Sequence, residues 1–327
     1  MDTRVLGRTG RQVSIIGLGT WQLGADWGSV DPDEAIRVLE ASVAAGVTFF
    51  DTADVYGDGR SEQTIGEFLR RHPGVDVTVA TKMGRRLAQQ PSNYVLDNFR
   101  AWTDRSREKL GVQCLDLVQL HCPPTSVYSS DAVYDALDTL VAEERIAAYG
   151  VSVETCAEAL TAIARPHVAT VQIILNAFRQ KPLDEVLPAA RAAGVGVIAR
   201  VPLASGLLSG KYTHATTFAA DDHRTYNRAG AAFDVGETFA GVDFDAGVDA
   251  AVAFGELVPA GVAPAAAALR WITQQDGVST VIPGARNVDQ ARANADASSV
   301  DTLDDEALAA ISALYDERIR AQVHDRW

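Results

Sequence analysis

Short apolar runs alternate with amphipathic segments along almost the whole chain. Val13–Gly19 reads as a buried strand, and Asp31-Pro32 then opens a helix that runs to about Ala45. The same alternation predicts strands at Val47–Asp51, Val77–Lys82, Leu115–His121, Ile146–Val153, Val168–Asn176, Val195–Leu203 and Val278–Pro283. Between them it predicts helices at Ser61–Arg71, Tyr94–Leu110, Ala132–Glu143, Thr155–Ala164, Asp184–Ala193 and Asn287–Ala297. About 75 residues separate the seventh strand from the eighth. They hold an irregular loop and two helices, Asp245–Val258 as an insertion and Pro264–Gln275 as the connecting helix. A loop of that length in a compact domain is usually functional. A last helix, Asp304–Ile319, follows, and "TRVLGRTGRQVSII" at the start reads as a hairpin turning at Thr9-Gly10.

Eight strands alternating with eight helices, several of the strands apolar throughout, fit parallel strands buried on both faces. The expected architecture is a single (β/α)8 barrel spanning residues 1–327. The hairpin would plug its bottom, and the extra helix and the C-terminal helix would lie outside the repeat.

Composition narrows the partners. A net charge of −14 argues against nucleic acid or an anionic membrane surface, since both call for a basic face. No apolar run approaches a membrane span, and "MDTRVLGRTG" has no apolar signal core. The three cysteines, Cys114, Cys122 and Cys156, form no CxxC pair, which suits a reducing, cytoplasmic compartment.

Barrel enzymes place their chemistry at the C-terminal ends of the strands. Those ends bring Asp51, Lys82 and His121 to one rim, with Tyr56 on the adjoining loop. Taken singly, each reads as a helix cap or a satisfied core residue. Together they crowd a charged pair and two further titratable groups into one mouth. Only four of the 29 basic residues are lysines, and Lys82 and Lys211 both fall where a loop leaves a strand. A tyrosine hydroxyl, with a pKa of about 10, is a poor acid until a nearby ammonium stabilises its phenolate. Asp51 would hold Lys82, Lys82 would activate Tyr56, and His121 would hydrogen-bond the same substrate oxygen. That set protonates a developing alkoxide, as when a carbonyl receives a hydride.

"FDTADVYG", "TK" and "LVQLHCP" resemble the aldo-keto reductase superfamily. So do "GLGTW", "YGVS", "PLASGLLSGKY" and "IPGARN", in the same order along nearly the whole chain. The resemblance implies a nicotinamide cofactor across the barrel mouth, with Tyr56 as acid–base and Asp51, Lys82 and His121 completing a tetrad. No doubly wound dinucleotide fingerprint is present, because "GLGTWQLG" has Gln22 where a third glycine would stand. By resemblance, Ser152 and Gln172 hold the nicotinamide carboxamide. The loop Gly206–Lys211, with Gly206, Leu208, Ser209, Gly210 and Lys211, covers the pyrophosphate. Further cofactor contacts are implied at Gly19, Thr20, Trp21 and Asp51, at Arg200, Val201, Pro202 and Leu203, and at Ile282 and Gly284. Many members have an aromatic-Ser pair where this chain has Arg200-Val201, so Arg200 is expected to stack on the nicotinamide, ahead of pairing with an acid.

Arg286 stands just before Asn287, a plausible N-cap with Gln290 three residues on. The resemblance places the adenosine 2′-phosphate there, with Gln290 and Asn294 near the adenine. Gly284 replaces a lysine of other members and leaves Arg286 to carry the charge. NADPH is therefore the expected cofactor, with NADH possible. Trp21 and Trp27 would wall a substrate pocket with Tyr56 and His121. The polar loop Asp221–Gly230 would help close it, with His223 in solvent.

The implied function is interconversion of a carbonyl (aldehyde, ketone or sugar) and an alcohol. The alternative is a cofactor-binding regulatory subunit resembling channel β subunits. Cys122 beside His121 lacks further ligands at metal spacing, and no HxH motif is present, so neither a metal site nor a metal-dependent hydrolase is expected.

Overall fold

The computed structural model of the chain describes residues 1–24 and 31–327. The chain opens with an antiparallel hairpin of β1 (Thr3–Val5) and β2 (Gln12–Ser14), with Thr3 opposite Ser14 and Val5 opposite Gln12. Gly10 closes the turn at φ 69°, a left-handed conformation that suits glycine.

The barrel strands follow as β3 (Leu18–Gly19), β4 (Phe49–Asp51), β5 (Thr78–Met83), β6 (Leu117–His121), β7 (Tyr149–Ser152), β8 (Thr170–Ile174), β9 (Gly196–Arg200) and β10 (Val278–Val281). They form one eight-stranded sheet in sequence order, every neighbouring pair parallel. The ring closes between its first and last strands. The amides of Gly17 and Gly19 donate to the carbonyls of Val281 and Pro283 at 2.8 and 3.0 Å, and the Val281 amide donates to Ile15 at 3.0 Å.

The run Val13–Gly19, expected as one strand, is divided. Its start belongs to the hairpin and only Leu18–Gly19 to the barrel. Gly17 marks the passage, because a Cβ there would lie 2.9 Å from the Phe49 ring and carbonyl. Periodicity missed the break because Ile15 and Ile16, between the two pieces, are themselves buried.

The hairpin plugs the barrel bottom as expected. Leu6 is fully buried in an inner cluster with Val13, Phe49, Ala80, Leu117 and Ile198. The backbone of Gly7 lies so close that a Cβ would come within 2.3 Å of the Ala169 carbonyl and the Gly196 amide.

Around the barrel lie α1 (Pro32–Ala44), α2 (Arg60–Arg71), α3 (Leu96–Leu110), α4 (Asp131–Ala142), α5 (Cys156–Ile163) and α6 (Val186–Ala193). The long connection after β9 holds α7 (His223–Tyr226), α8 (Phe244–Leu257) and α9 (Pro264–Gln274). The chain then runs through α10 (Val288–Asp296), α11 (Asp305–Arg318) and α12 (Arg320–Val323). The one-turn helices α7 and α12 were not legible in the pattern. Caps set several starts: Asp31 accepts from the amides of Asp33 and Glu34, and Thr155 with Glu158 forms a capping box. Asn287 caps α10 as expected, accepting from the Gln290 amide at 2.9 Å. No helix among the described residues is long and apolar enough to cross a membrane.

Candidate active site

Strand register sets the expected rim residues at successive levels near the C-terminal ends of the strands. Gly19 lies opposite Asp51, Asp51 opposite Ala80, and Lys82 opposite Gln119. His121 lies opposite Ser152, and Ser152 opposite Gln172.

Asp51 ends its strand in a carboxylate because Lys82 is there to meet it. The two form a buried ion pair, Lys82 being 1% exposed. The ammonium also donates to the Thr52 carbonyl at 2.9 Å and to the Tyr56 hydroxyl at 3.2 Å. The other Asp51 oxygen accepts from Gln119 at 3.1 Å and Gln172 at 2.7 Å. Buried charges survive when paired and fully hydrogen-bonded, and this pair is both.

Tyr56 reaches the ammonium from a turn that only glycine permits. Gly57 has φ 57°, and a Cβ on it would meet the Gly24 carbonyl oxygen at 1.9 Å. The Tyr56 ring stacks near Trp21, at 6.1 Å between centroids, and meets His121 edge-on at 5.9 Å.

Burial opposes the Lys82 ammonium, but Asp51 and Tyr56 outweigh it and raise its pKa. Burial also raises Tyr56 above its ordinary value, and Lys82 offsets this only in part. That corrects the sequence expectation of a lowered phenol: desolvation wins, so Tyr56 rests as a protonated donor. Burial, then the charges of Arg85, Lys82 and Arg200, push His121 well below the usual imidazole range. It is therefore neutral, with one N–H to give.

Arg200 requires a second correction. It is locked by its N–H edge into an ion pair with Glu154, Nη2 to Oε2 at 2.8 Å, and donates to the Val153 carbonyl at 3.0 Å. Glu237 stands 3.7 Å from its other terminal nitrogen. Pairing with acids, ranked second on sequence, is the arrangement present, because two carboxylates reach the rim from loops. Arg85, Glu154 and Glu237 were all missed. Arg85 follows Gly84 after β5, Glu154 lies two residues past β7, and Glu237 comes from the long loop.

Val201 and Cys122, next to Arg200 and His121, hold φ 53° and 45°. Positive φ is strained for such side chains, and strain of this kind gathers at functional sites. The Cys122 thiol, 3.1 Å from the Ser152 hydroxyl, is pushed up by burial and is inert. Donor atoms of Cys122, Glu154 and Glu237 lie within 4.8 Å of one another. Arg85 and Arg200 already pair with those carboxylates, so a cation would meet two guanidiniums there.

The remaining expected residues differ widely in burial. Thr20 is buried, its hydroxyl 2.9 Å from the Asp51 carbonyl. Pro202 is buried, Val201 and Leu203 half-buried. Gly206, at φ 100°, leaves no room for a side chain, since a Cβ would meet the Tyr212 hydroxyl at 2.2 Å. Ser209 donates to the Gly206 carbonyl at 2.6 Å, Leu208 is fully buried in the core, and Gly210 and Lys211 are exposed. Ile282 is buried and Gly284 lies against Gln22. Arg286 is exposed and makes no ion pair among the described residues. Its amide donates to Gln290 at 2.9 Å, and Asn294 donates to the Gly284 carbonyl at 3.1 Å. An unpaired guanidinium ahead of a capped helix N-terminus is a donor set that fits a phosphate.

Trp27 lies outside the described residues. His223, expected in solvent, is 1% exposed, with its ring 5.2 Å from Trp21 and 6.4 Å from Phe233. Burial holds its pKa near 4.

Asp54 is buried behind the Tyr56 turn, and neither carboxyl oxygen has a hydrogen-bond partner among the described residues. Burial and then Glu62 raise its pKa from 3.8 to about 7. The folded chain therefore holds a proton that the unfolded chain gives up. The stability linked to that proton is full below pH 4 and drains away as pH rises towards 7, by up to about 4 kcal/mol for three units. Asp54→Asn should thus gain stability relative to the parent between pH 4 and 8, in urea unfolding at each pH. An equal stability difference at both ends of that range would contradict it.

A sequence profile of the Aldo/keto reductase family matches residues 15–316. An aldo-keto reductase of Strobilurus tenacellus, str7, is 32% identical over 97% of this chain and 93% of its own. The solved glycerol dehydrogenase AKR11B4 of Gluconobacter oxydans superposes with a TM-score of 0.79 at 29% identity, covering 99% of this chain and 96% of that one. An aldo-keto reductase of Klebsiella pneumoniae, solved in complex with NADPH, shares the fold with a TM-score of 0.70 at 24% identity, over 96% of both chains.

Proposed function

The chain belongs to the aldo/keto reductase family, and from that premise we propose that it interconverts a small carbonyl compound and an alcohol using NADP(H), with Tyr56 as the proton donor and acceptor. The observation that carries this reading is the Lys82 ammonium, paired with Asp51 and 3.2 Å from the Tyr56 hydroxyl. When bound, the dinucleotide supplies or takes the hydride.

The residues of the chain handle the proton and the charge. In the reducing direction the substrate oxygen takes the proton of Tyr56 and becomes the hydroxyl of the alcohol. Lys82 stabilises the tyrosinate left behind, Asp51 holds Lys82, and Gln119 with Gln172 holds Asp51. Neutral His121 lends an N–H to the same oxygen without competing as an acid. Tyr128, donating to the Ser152 carbonyl at 2.8 Å, steadies the strand end beside it. Ser152 and Gln172 would hold the nicotinamide end, the loop from Gly206 to Lys211 the pyrophosphate, and Arg286, Gln290 and Asn294 the adenosine end.

The test is steady-state turnover of aldehydes, ketones and sugars with NADPH and with NADH. Reduction should run at neutral pH and fall as pH rises through the raised pKa of Tyr56, because the donor must carry its proton. A reduction rate that climbs through that alkaline range would speak against Tyr56 as the acid.

A further inference from the structure

Four charged side chains converge beside Tyr56 and His121, and none belongs to the tetrad. Arg85 Nη2 lies 3.2 Å from Glu237 Oε1 and 3.6 Å from Glu154 Oε1. Arg200 Nη2 lies 2.8 Å from Glu154 Oε2, and its Nη1 lies 3.7 Å from Glu237 Oε2. Two guanidiniums thus hold two carboxylates between them. Arginine is the side chain best suited to a carboxylate, through its planar, bidentate fork. The cluster is a carboxylate cradle already filled from within.

Its place matters for substrate choice. The Arg85 Nε donates to the His121 carbonyl at 3.1 Å, which sets the guanidinium beside the imidazole that faces the substrate oxygen in the proposed reaction. The charges of both arginines bear on His121, and that of Glu237 on Tyr56. The side chains of Arg85 and Glu237 are 19% and 13% exposed, so the pair is largely but not wholly shut off from water. Glu237 does not come from a barrel strand. It is carried in by the long loop, whose Phe239 amide donates to Ser205 Oγ at 3.0 Å and whose Glu237 carbonyl accepts from the same hydroxyl at 3.3 Å.

We propose that Glu237 makes the site selective for uncharged carbonyl substrates over those bearing a carboxylate near the reacting carbon, by neutralising Arg85 and Arg200. The proposal rests on the reading of Tyr56 and His121 as the groups that meet the substrate oxygen. With Glu237 in place, an incoming carboxylate meets a carboxylate that already holds both guanidiniums, with Glu154 packed beside it. Without its charge, Glu154 alone is left to two guanidiniums, and Arg85, which Glu154 approaches only to 3.6 Å, is open to a substrate carboxylate.

The test compares kcat/KM for butanal and for 4-oxobutanoate, which differ by a carboxylate, with NADPH saturating. Wild type should favour butanal. Glu237→Gln should shift the ratio towards 4-oxobutanoate by about tenfold or more, the scale of one hydrogen bond to a charged group. Glu237→Asp, which keeps the charge, should keep the parental preference, and Arg85→Ala added to Glu237→Gln should cancel the shift. Should Glu237→Gln fail to fold, Glu237→Ser removes the same charge and is read in the same way. Turnover of butanal with an unchanged ratio in the Gln variant, or a wild type that prefers 4-oxobutanoate, overturns the proposal alone. A wild type that reduces neither aldehyde, nor any other carbonyl, overturns the reductase reading and this proposal with it.

Discussion

Tyr56→Phe lowers kcat for carbonyl reduction by about 10²–10⁴-fold, the range that a positioned general acid supplies. The substitution removes one oxygen and leaves the ring between Trp21 and His121. Lys82 loses one acceptor but keeps Asp51 and the Thr52 carbonyl, so the buried charge stays paired. Fold and cofactor affinity should therefore persist, as read by circular dichroism and by the fluorescence titration of NADPH. A variant with near-parental kcat would remove Tyr56 from the chemistry. One that also lost NADPH binding would mark its role as structural.

Arg286→Ala weakens NADPH by about 10- to 150-fold and leaves NADH nearly unchanged. The warrant is that a hydrogen bond to a charged group contributes roughly 1.5–3 kcal/mol, and only NADPH carries the 2′-phosphate. Arg286 is exposed and has no ion pair among the described residues, so its charge is not already committed to Asp289 or another acid. Gln290 and Asn294 are partly engaged, bracing the Arg286 amide and the Gly284 carbonyl, and so contribute shape more than charge. Titrating both cofactors into parent and variant decides the matter. Equal losses for the two, or no loss for NADPH, would refute the assignment.

The barrel was legible because its strands are short apolar runs at regular spacing, and the rim because parallel strands all end on the same side. Asp51, Lys82 and His121 follow from those two facts, and register does the rest. Gln119 carried a signal that was passed over. It sits between Leu117 and His121 at a period of two, on the face of a fully buried strand that points inward. A polar residue there has to find a partner, and it finds Asp51.

The Arg85–Glu154–Arg200–Glu237 cluster was not legible, since nothing in spacing ties an irregular loop to three strand ends. His223 misled for a different reason. Its segment, "DDHRTYNRAG", reads as solvated, yet its polar groups satisfy one another. Arg224 pairs with Asp222, and Asn227 Oδ1 accepts from the amides of Ala232 and Phe233 at 2.9 and 3.0 Å. Once those groups are matched, the loop can lay His223 and Phe233 against Trp21. Tyr56 misled in sign: sequence placed an ammonium beside it, but only the structure shows how completely water is removed.

The central claim, that this chain performs the redox step and does not merely hold its cofactor, is tested most directly in a single turnover. Protein loaded with one equivalent of NADPH is mixed with excess aldehyde, and the nicotinamide absorbance is followed in a stopped-flow cell. The account predicts loss of the full equivalent by the parent, with Tyr56→Phe slower by about 10²–10⁴-fold. Tight binding of NADPH with no loss of absorbance, across aldehydes, ketones and sugars alike, would contradict it and leave a cofactor-binding subunit as the better description.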